Sequence, residues 1–235
     1  MTPRNRPYYV WVTWLTALLA GEARCQFAPW VKSHFKFDKP QKDMTEWIDG
    51  HSKLLQQRRD ELQNDHWDVT VEDQNAFILN GLTATLAGKP DLIARRAGQV
   101  LVIDAKTGKQ RSRDYWQVLT YLAALPKAFR FDPTTVYGEV CYPSIRVTVP
   151  NSELDAVSSQ RIWSLIQVVA GEEVPQATPS AAECRFCDVP KSVCPARIEY
   201  APHEAVLGCG LCHPSFLGRG YVERDTMHAG RVRRG

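Results

Sequence analysis

No apolar stretch of this 235-residue chain can cross a bilayer. The run from Tyr8 to Ala20 falls short of the roughly 20 residues a spanning helix needs. A large charge excess is missing too. Lys and Arg total 29 against 26 Asp and Glu, and the net charge of +3 permits nucleic-acid binding without arguing for it. There are no internal repeats, so no solenoid is expected. What remains is ordinary for a globular protein: 44% hydrophobic and 23% charged residues, enough for a packed core and against global disorder. The length suits one sizeable α/β domain with elaborations and is short for two.

The seven cysteines are not spread through the chain as in a small disulfide scaffold. Cys184, Cys187 and Cys194 cluster, Cys209 and Cys212 form a second group, and Cys25 and Cys141 stand alone. An odd number, clustered, reads as metal ligation. A secreted protein is the rival, because Arg4 and Arg6 before the Tyr8–Ala20 run resemble a signal peptide. Two tryptophans and two threonines in that run argue against it, as does the lack of an A-x-A site before Cys25. Thr13 reads instead as the N-cap of a short helix with Leu15, Leu18 and Leu19 on its apolar face.

After Cys25 comes a basic, aromatic stretch, Gln26 to Lys39. A helix is expected from about Asp43 to Gln63, with Met44, Trp47, Ile48, His51, Leu54, Leu55 and Leu62 as one buried stripe. Short strands follow at Phe77–Leu79, Leu82–Leu86, Pro90–Ala94 and Val100–Ile103, with Gly81, Gly88, Gly98 and Gly108 as turn residues. The apolar run Leu101–Ile103 suits a central strand. Ser112 opens a helix to about Leu125, ended by Pro126. A hairpin is expected from Val136–Tyr142 and Ile145–Val149. Ser152 should cap a helix striped by Leu154, Val157, Ile162, Leu165 and Val169. A linker, Val174 to Ala182, leads to the cysteines, and from about Ala201 a Gly- and Arg-rich tail is expected to be flexible.

Two carboxylates carry the chemistry. Asp91 follows Gly88-Lys89-Pro90, and Asp104 ends a strand as Asp104-Ala105-Lys106-Thr107-Gly108-Lys109. Residues two apart on a strand share a face, so Asp104 and Lys106 point together, and a turn at Gly88 can bring Asp91 beside them. Two carboxylates suit Mg²⁺, a hard cation that neutralises phosphate and acidifies water. A lysine there can orient the water and offset developing charge. A strand ending in solvated Asp and Lys is the everyday alternative. Asp104 follows three apolar residues, however, and a carboxylate at a core edge is costly unless paired or metal-bound.

The segment Gly88 to Tyr121 resembles the nuclease core of the RecB-type branch of the PD-(D/E)XK superfamily, with Asp91, Asp104, Lys106, Thr107, Gly108, Lys109, Gln117 and Tyr121 in order. Asp104 stands where Glu is commoner. The resemblance implies an α/β fold with a restriction-endonuclease-like core at about residues 44–150, a mixed central sheet flanked by helices, and helical and cysteine-bearing ends, in one domain over 1–200. It implies hydrolysis of DNA phosphodiesters, with Mg²⁺ or Mn²⁺ held by His51, Asp91, Asp104 and the Ala105 carbonyl, and with Lys106 positioning the water. It also places Gln117 and Tyr121 beside the site, in contact with DNA. By itself, His51 on an apolar stripe would be a core histidine.

Spacing alone would give the cysteines to zinc, with the fourth ligand open among Cys25, His203, Cys209 and Cys212. One branch of the resembled family, including the CRISPR-associated iron–sulfur exonucleases and the AddB nuclease domain, implies a structural 4Fe–4S cluster instead. It would be held by Cys25, Cys184, Cys187 and Cys194. Cys209 and Cys212 stay unassigned, and Cys141 reads as a core residue. Lys109, Arg111 and Arg113 are placed to meet phosphates, although a solvated basic loop explains them almost as well. The expectation is a cytoplasmic exonuclease acting on single-stranded DNA or DNA ends, with a helicase, recombination or CRISPR adaptation protein as partner. A zinc-containing restriction or repair endonuclease and a non-catalytic DNA-binding subunit are the alternatives.

Overall fold

The computed structural model describes residues 1–38 and 45–199. A five-stranded mixed sheet organises them, in the order β10-β9-β8-β7-β4. Its strands are β4 (Asp68–Val71), β7 (Leu92–Arg96), β8 (Gln99–Ala105), β9 (Val136–Cys141) and β10 (Arg146–Val149). β8 lies in the middle, antiparallel to β7 and parallel to β9. Its run Val100–Ala105 is buried throughout, as a strand covered on both faces requires. A second sheet pairs β6 (Ala84–Gly88) with β2 (Tyr8–Trp11) in parallel and with β5 (Phe77–Asn80) antiparallel. A short ribbon joins β1 (Thr2–Pro3) to β3 (Phe35–Lys36).

Alternation along β8 divides the core. Val100 and Val102 pack with the helices α1 (Val12–Leu19), α4 (Ser112–Phe129) and α5 (Ala156–Ala170). Leu101, Ile103 and Ala105 pack on the other face with Leu54, Leu55 and Leu62 of α3 (Thr45–Asn64). α4 is the connection that lets β8 and β9 run parallel. It is buried almost all round, with Gln117 through Leu125 covered without a break, because α1 lies on its far side. Gly138 of β9 makes the close approach possible, since a Cβ there would stand 2.2 Å from Val118 Cγ1.

Several expectations need correction. α1 begins at Val12, its N-cap is Trp11 with no side-chain bond, and Thr13 lies exposed inside the helix. The preceding residues form strand β2 instead. The stretch after Cys25 contains a helix, α2 (Phe27–His34), hidden by Pro29, which a first helical turn tolerates. β4 was not foreseen. β6 starts at Ala84, leaving Leu82 fully exposed, and Gly88 ends that strand rather than forming a turn. α4 runs past Pro126 to Phe129, because a proline near the C-terminal end forfeits only one helical bond. α5 is capped by Asp155, whose carboxylate accepts from the Ser158 N–H, and not by Ser152. Its Val157 is exposed. Trp47 and Ile48 are about half exposed, because α3 has no buried described residue before His51. The expected helix start at Asp43, Met44 and the tail after Ala201 lie outside the described residues.

One buried ion pair ties α3 to the sheet. Arg58 donates from Nε and Nη2 to the two carboxylate oxygens of Glu139 on β9, at 2.8 and 2.9 Å, and from Nη1 to Glu61 at 3.1 Å. Removing one partner leaves the other charge buried without compensation. Arg58→Ala is therefore expected to cost about 3 kcal/mol of stability in urea unfolding. The double variant Arg58→Met/Glu139→Leu should recover most of that loss. Wild-type stability in the single variant would refute the account.

Candidate active site

The site forms where β8 ends and β7 begins. The last paired positions are Leu92 and Ile103, so Asp91 and Asp104 lie one step further along neighbouring strands. The Asp91 carboxylate accepts from the Ala105 N–H at 2.7 Å, which fixes it against the end of β8. Asp104 is 1% exposed. Its Oδ1 accepts from Gln117 Nε2 at 2.7 Å, and Lys106 Nζ stands 2.5 Å from its Oδ2. Beyond that ion pair Oδ2 is buried with no further partner among the described residues.

Gln117 and Tyr121 occupy one face of α4, one turn apart. Gln117 also donates to the Tyr121 hydroxyl at 3.1 Å, and that hydroxyl donates to the Lys89 carbonyl at 3.3 Å. A chain of bonds thus runs from the segment before Asp91, through α4, to Asp104. Tyr121 is 1% exposed, which leaves it no surface to offer a DNA strand, and the pair positions Asp104 instead. Gly88 fits this arrangement, since a Cβ there would meet the Phe77 and Tyr121 rings at 2.7 to 2.9 Å. Asp114, which the sequence did not single out, is a further buried carboxylate on α4, and it accepts from the Tyr142 hydroxyl at 2.8 Å.

His51 arrives from the opposite side, on α3. Its Nε2 lies 3.5 Å from Asp91 Oδ1, and its Nδ1 is buried without a hydrogen-bond partner. The bond to Asp91 raises the His51 pKa above the ordinary histidine value, against the effect of burial. Burial pushes the Asp104 carboxyl up, to about 7, with Asp91 adding to the rise and Lys106 opposing it. Burial works against the Lys106 ammonium, yet Asp104 outweighs it and its pKa rises.

The donor chemistry fits a hard divalent cation: two carboxylates, an imidazole and the nearby Ala105 backbone, with Asp104 Oδ2 met by the Lys106 ammonium alone. Among the described residues, no three His, Cys, Asp or Glu side chains close on one point as a ready-made metal cage. The ammonium of Lys106 supplies the positive charge beside Asp104 in this arrangement.

The basic residues separate. Lys109 and Arg111 are exposed at the end of the loop that leads into α4. Arg113 is engaged elsewhere: its Nε and its backbone N–H both donate to Glu22, at 2.5 and 3.0 Å.

Four cysteines share a cavity without closing on one point. Cys25, Cys184, Cys187 and Cys194 all line one cavity of about 580 Å³, together with Lys32, Arg111 and Arg113. The segment before α2 is fastened to α6 (Ala181–Phe186) by Glu183, whose Oε1 accepts from the N–H groups of Arg24 and Cys25 at 2.6 and 3.1 Å. Arg197 donates to the carbonyls of Cys187 and Val189, holding the loop that carries Cys187. Trp30, Val31 and Val189 pack around Cys194. All five described cysteines are free thiols, Cys141 among them, buried on β9 as a core residue. Burial raises the Cys187 thiol above its ordinary value, so a thiolate there calls for a compensating cation. Cys209, Cys212 and His203 lie outside the described residues.

A family model of the PD-(D/E)XK nuclease superfamily matches residues 17–195, which include every residue of both sites. No curated protein matches the chain. Among solved structures, the crystal structure of SSO0001 is similar at 17% identity and a TM-score of 0.44, covering 83% of this chain and 90% of that one.

With Asp104 and His51 both raised, cation binding through them would depend on pH, with a definite sign. Both groups must shed protons to act as ligands, so Mn²⁺ affinity should climb as pH rises from 6 to 8. Calorimetric titration in buffers of different ionisation enthalpy should show about one proton or more released per ion at pH 6.5. Equal affinity at pH 6 and 8 would show that these groups do not hold the ion.

Proposed function

The chain belongs to the PD-(D/E)XK nuclease superfamily, and from that premise we propose that it is a Mg²⁺- or Mn²⁺-dependent deoxyribonuclease of the RecB-type branch, an exonuclease carrying a structural 4Fe–4S cluster. The observation that carries the catalytic part is the meeting of Asp91, Asp104 and Lys106 at the end of the central strand, with His51 alongside. His51, Asp91, Asp104 and the Ala105 carbonyl would hold the cation. When bound, it supplies neutralisation of the phosphate and a water acidic enough to attack phosphorus.

The chain's own groups do the rest. Gln117 fixes the Asp104 carboxylate, so that its second oxygen faces Lys106. Lys106 orients the attacking water and offsets charge building on the phosphate. Lys109 is exposed and placed to meet a neighbouring phosphate, which fixes the strand without reading its sequence, and Arg111 is exposed at the rim of the cysteine cavity. Arg113 contributes through Glu22 rather than by direct contact.

The cluster part rests on the cysteine cavity. Four thiols from both ends of the described chain line one space, in the order the iron–sulfur branch of the family implies. A cytoplasmic location goes with this reading. No described helix is long and apolar enough to cross a membrane.

Lys106→Ala and Asp104→Ala should each lower Mn²⁺-dependent cleavage of an oligonucleotide at least about a hundred-fold, with circular dichroism unchanged. Undiminished cleavage by both would sink the catalytic assignment. Protein purified without oxygen should be brown, with about four irons per chain, and colourless once Cys184 and Cys187 are replaced by serine. Stoichiometric zinc in place of iron would move the protein to a zinc-bearing endonuclease.

A further inference from the structure

α3 reaches the site with an aromatic ring that the catalytic groups do not use. Trp47 lies one turn before His51, and the two rings stack nearly parallel, 4.8 Å apart and inclined by 12°. His51 in turn contacts Asp91. Gly50, on the same turn of helix, faces the loop after β8, since a Cβ there would lie 3.5 Å from Thr107 Cγ2. One face of the indole is thus spent on the imidazole. The side chain is still 49% exposed, and its neighbour Ile48 is 51% exposed. A large apolar ring held flat and left open beside a charged site is a surface for another flat ring.

We propose that Trp47 is a stacking platform for an unpaired nucleobase beside the scissile phosphate. The proposal rests on the nuclease reading and adds to it. In a duplex each base is already stacked on its neighbours and offers no free face. In a single strand it does, and base–aromatic stacking tolerates any sequence. A phosphate contact at Lys109 would hold the backbone while Trp47 takes a base.

The test uses the full chain with Mn²⁺, single-stranded oligonucleotides, and the variants Trp47→Ala, Trp47→Leu and Trp47→Phe. Trp47→Ala and Trp47→Leu should each raise KM about ten-fold, with a smaller effect on kcat, and Trp47→Phe should recover most of the loss. Single abasic nucleotides placed at successive positions should then locate the partner base. At that position wild type and Trp47→Ala should perform alike. The same penalty on base-bearing and abasic strands would overturn the platform and leave Trp47 as a prop for His51. So would cleavage by wild type that Trp47→Ala leaves unchanged. If wild type cleaves no DNA, the nuclease reading fails by itself. Fluorescence anisotropy with a labelled single strand then decides the platform, and equal affinity of wild type and Trp47→Ala overturns it.

Discussion

The structure depends on one buried carboxylate. Asp104 ends the strand that lies deepest in the sheet, and desolvation there works against its charge. Two neighbours answer that cost, a hydrogen bond from Gln117 and an ion pair with Lys106. Gln117 can reach it only because α4 is sunk between the sheet and α1, and α4 can sink that far only because Gly138 gives Val118 room. Glycines, helix burial and the polar chain through Tyr121 are thus one arrangement. It keeps a charge-bearing oxygen in place without solvent, as a preorganised site requires.

The two faces of the sheet contribute differently. The α4 face supplies the group that holds Asp104, and the α3 face supplies His51 through its contact with Asp91. α3 is anchored further along by Arg58 on Glu139, so the first turns of the helix, with Trp47 and Ile48, carry little burial of their own. The cysteine cavity adjoins α4 at its N-terminal end, one turn before Gln117. Arg113, in the first turn of α4, is held by Glu22, and both line the cavity. The thiol-bearing ends of the chain therefore bear directly on the helix that carries Gln117.

Periodicity made much of this legible. β8, the β9–β10 hairpin, α3 and α4 were foreseen because each has a long or unbroken pattern. α2, β2 and β4 were not. Phe27, Trp30, Val31 and His34 are spaced for a helix, but Pro29 among them reads as a breaker, and the strand Tyr8–Trp11 merges with the helix that follows it. At the site, the motif residues Asp91, Asp104, Lys106, Gln117 and Tyr121 all come together, and His51 joins them from a distant segment. What the motif could not show is depth. Polar Gln117 and Tyr121 suggest a surface face, yet that side of the helix is spent on Asp104, the Lys89 carbonyl and the Phe77 ring. Apolar Trp47 suggests burial, yet α3 overhangs its support. Arg113 lies in a basic run, and its partner Glu22 is too far away in sequence to be noticed.

The contact of Glu183 with Arg24 and Cys25 joins residues 158 to 159 positions apart. Closing a loop of that size costs chain entropy before any contact repays it, whereas β7 and β8 need only the short turn at Ala97-Gly98. The order of assembly follows from that difference. The carboxylate-bearing hairpin can form while the chain is still short, but the space between the cysteines does not exist until nearly the last described residues have been made. Anything held in that space would accordingly enter late in the life of the polypeptide, and a nascent chain would have its acidic residues in place well before its thiols meet.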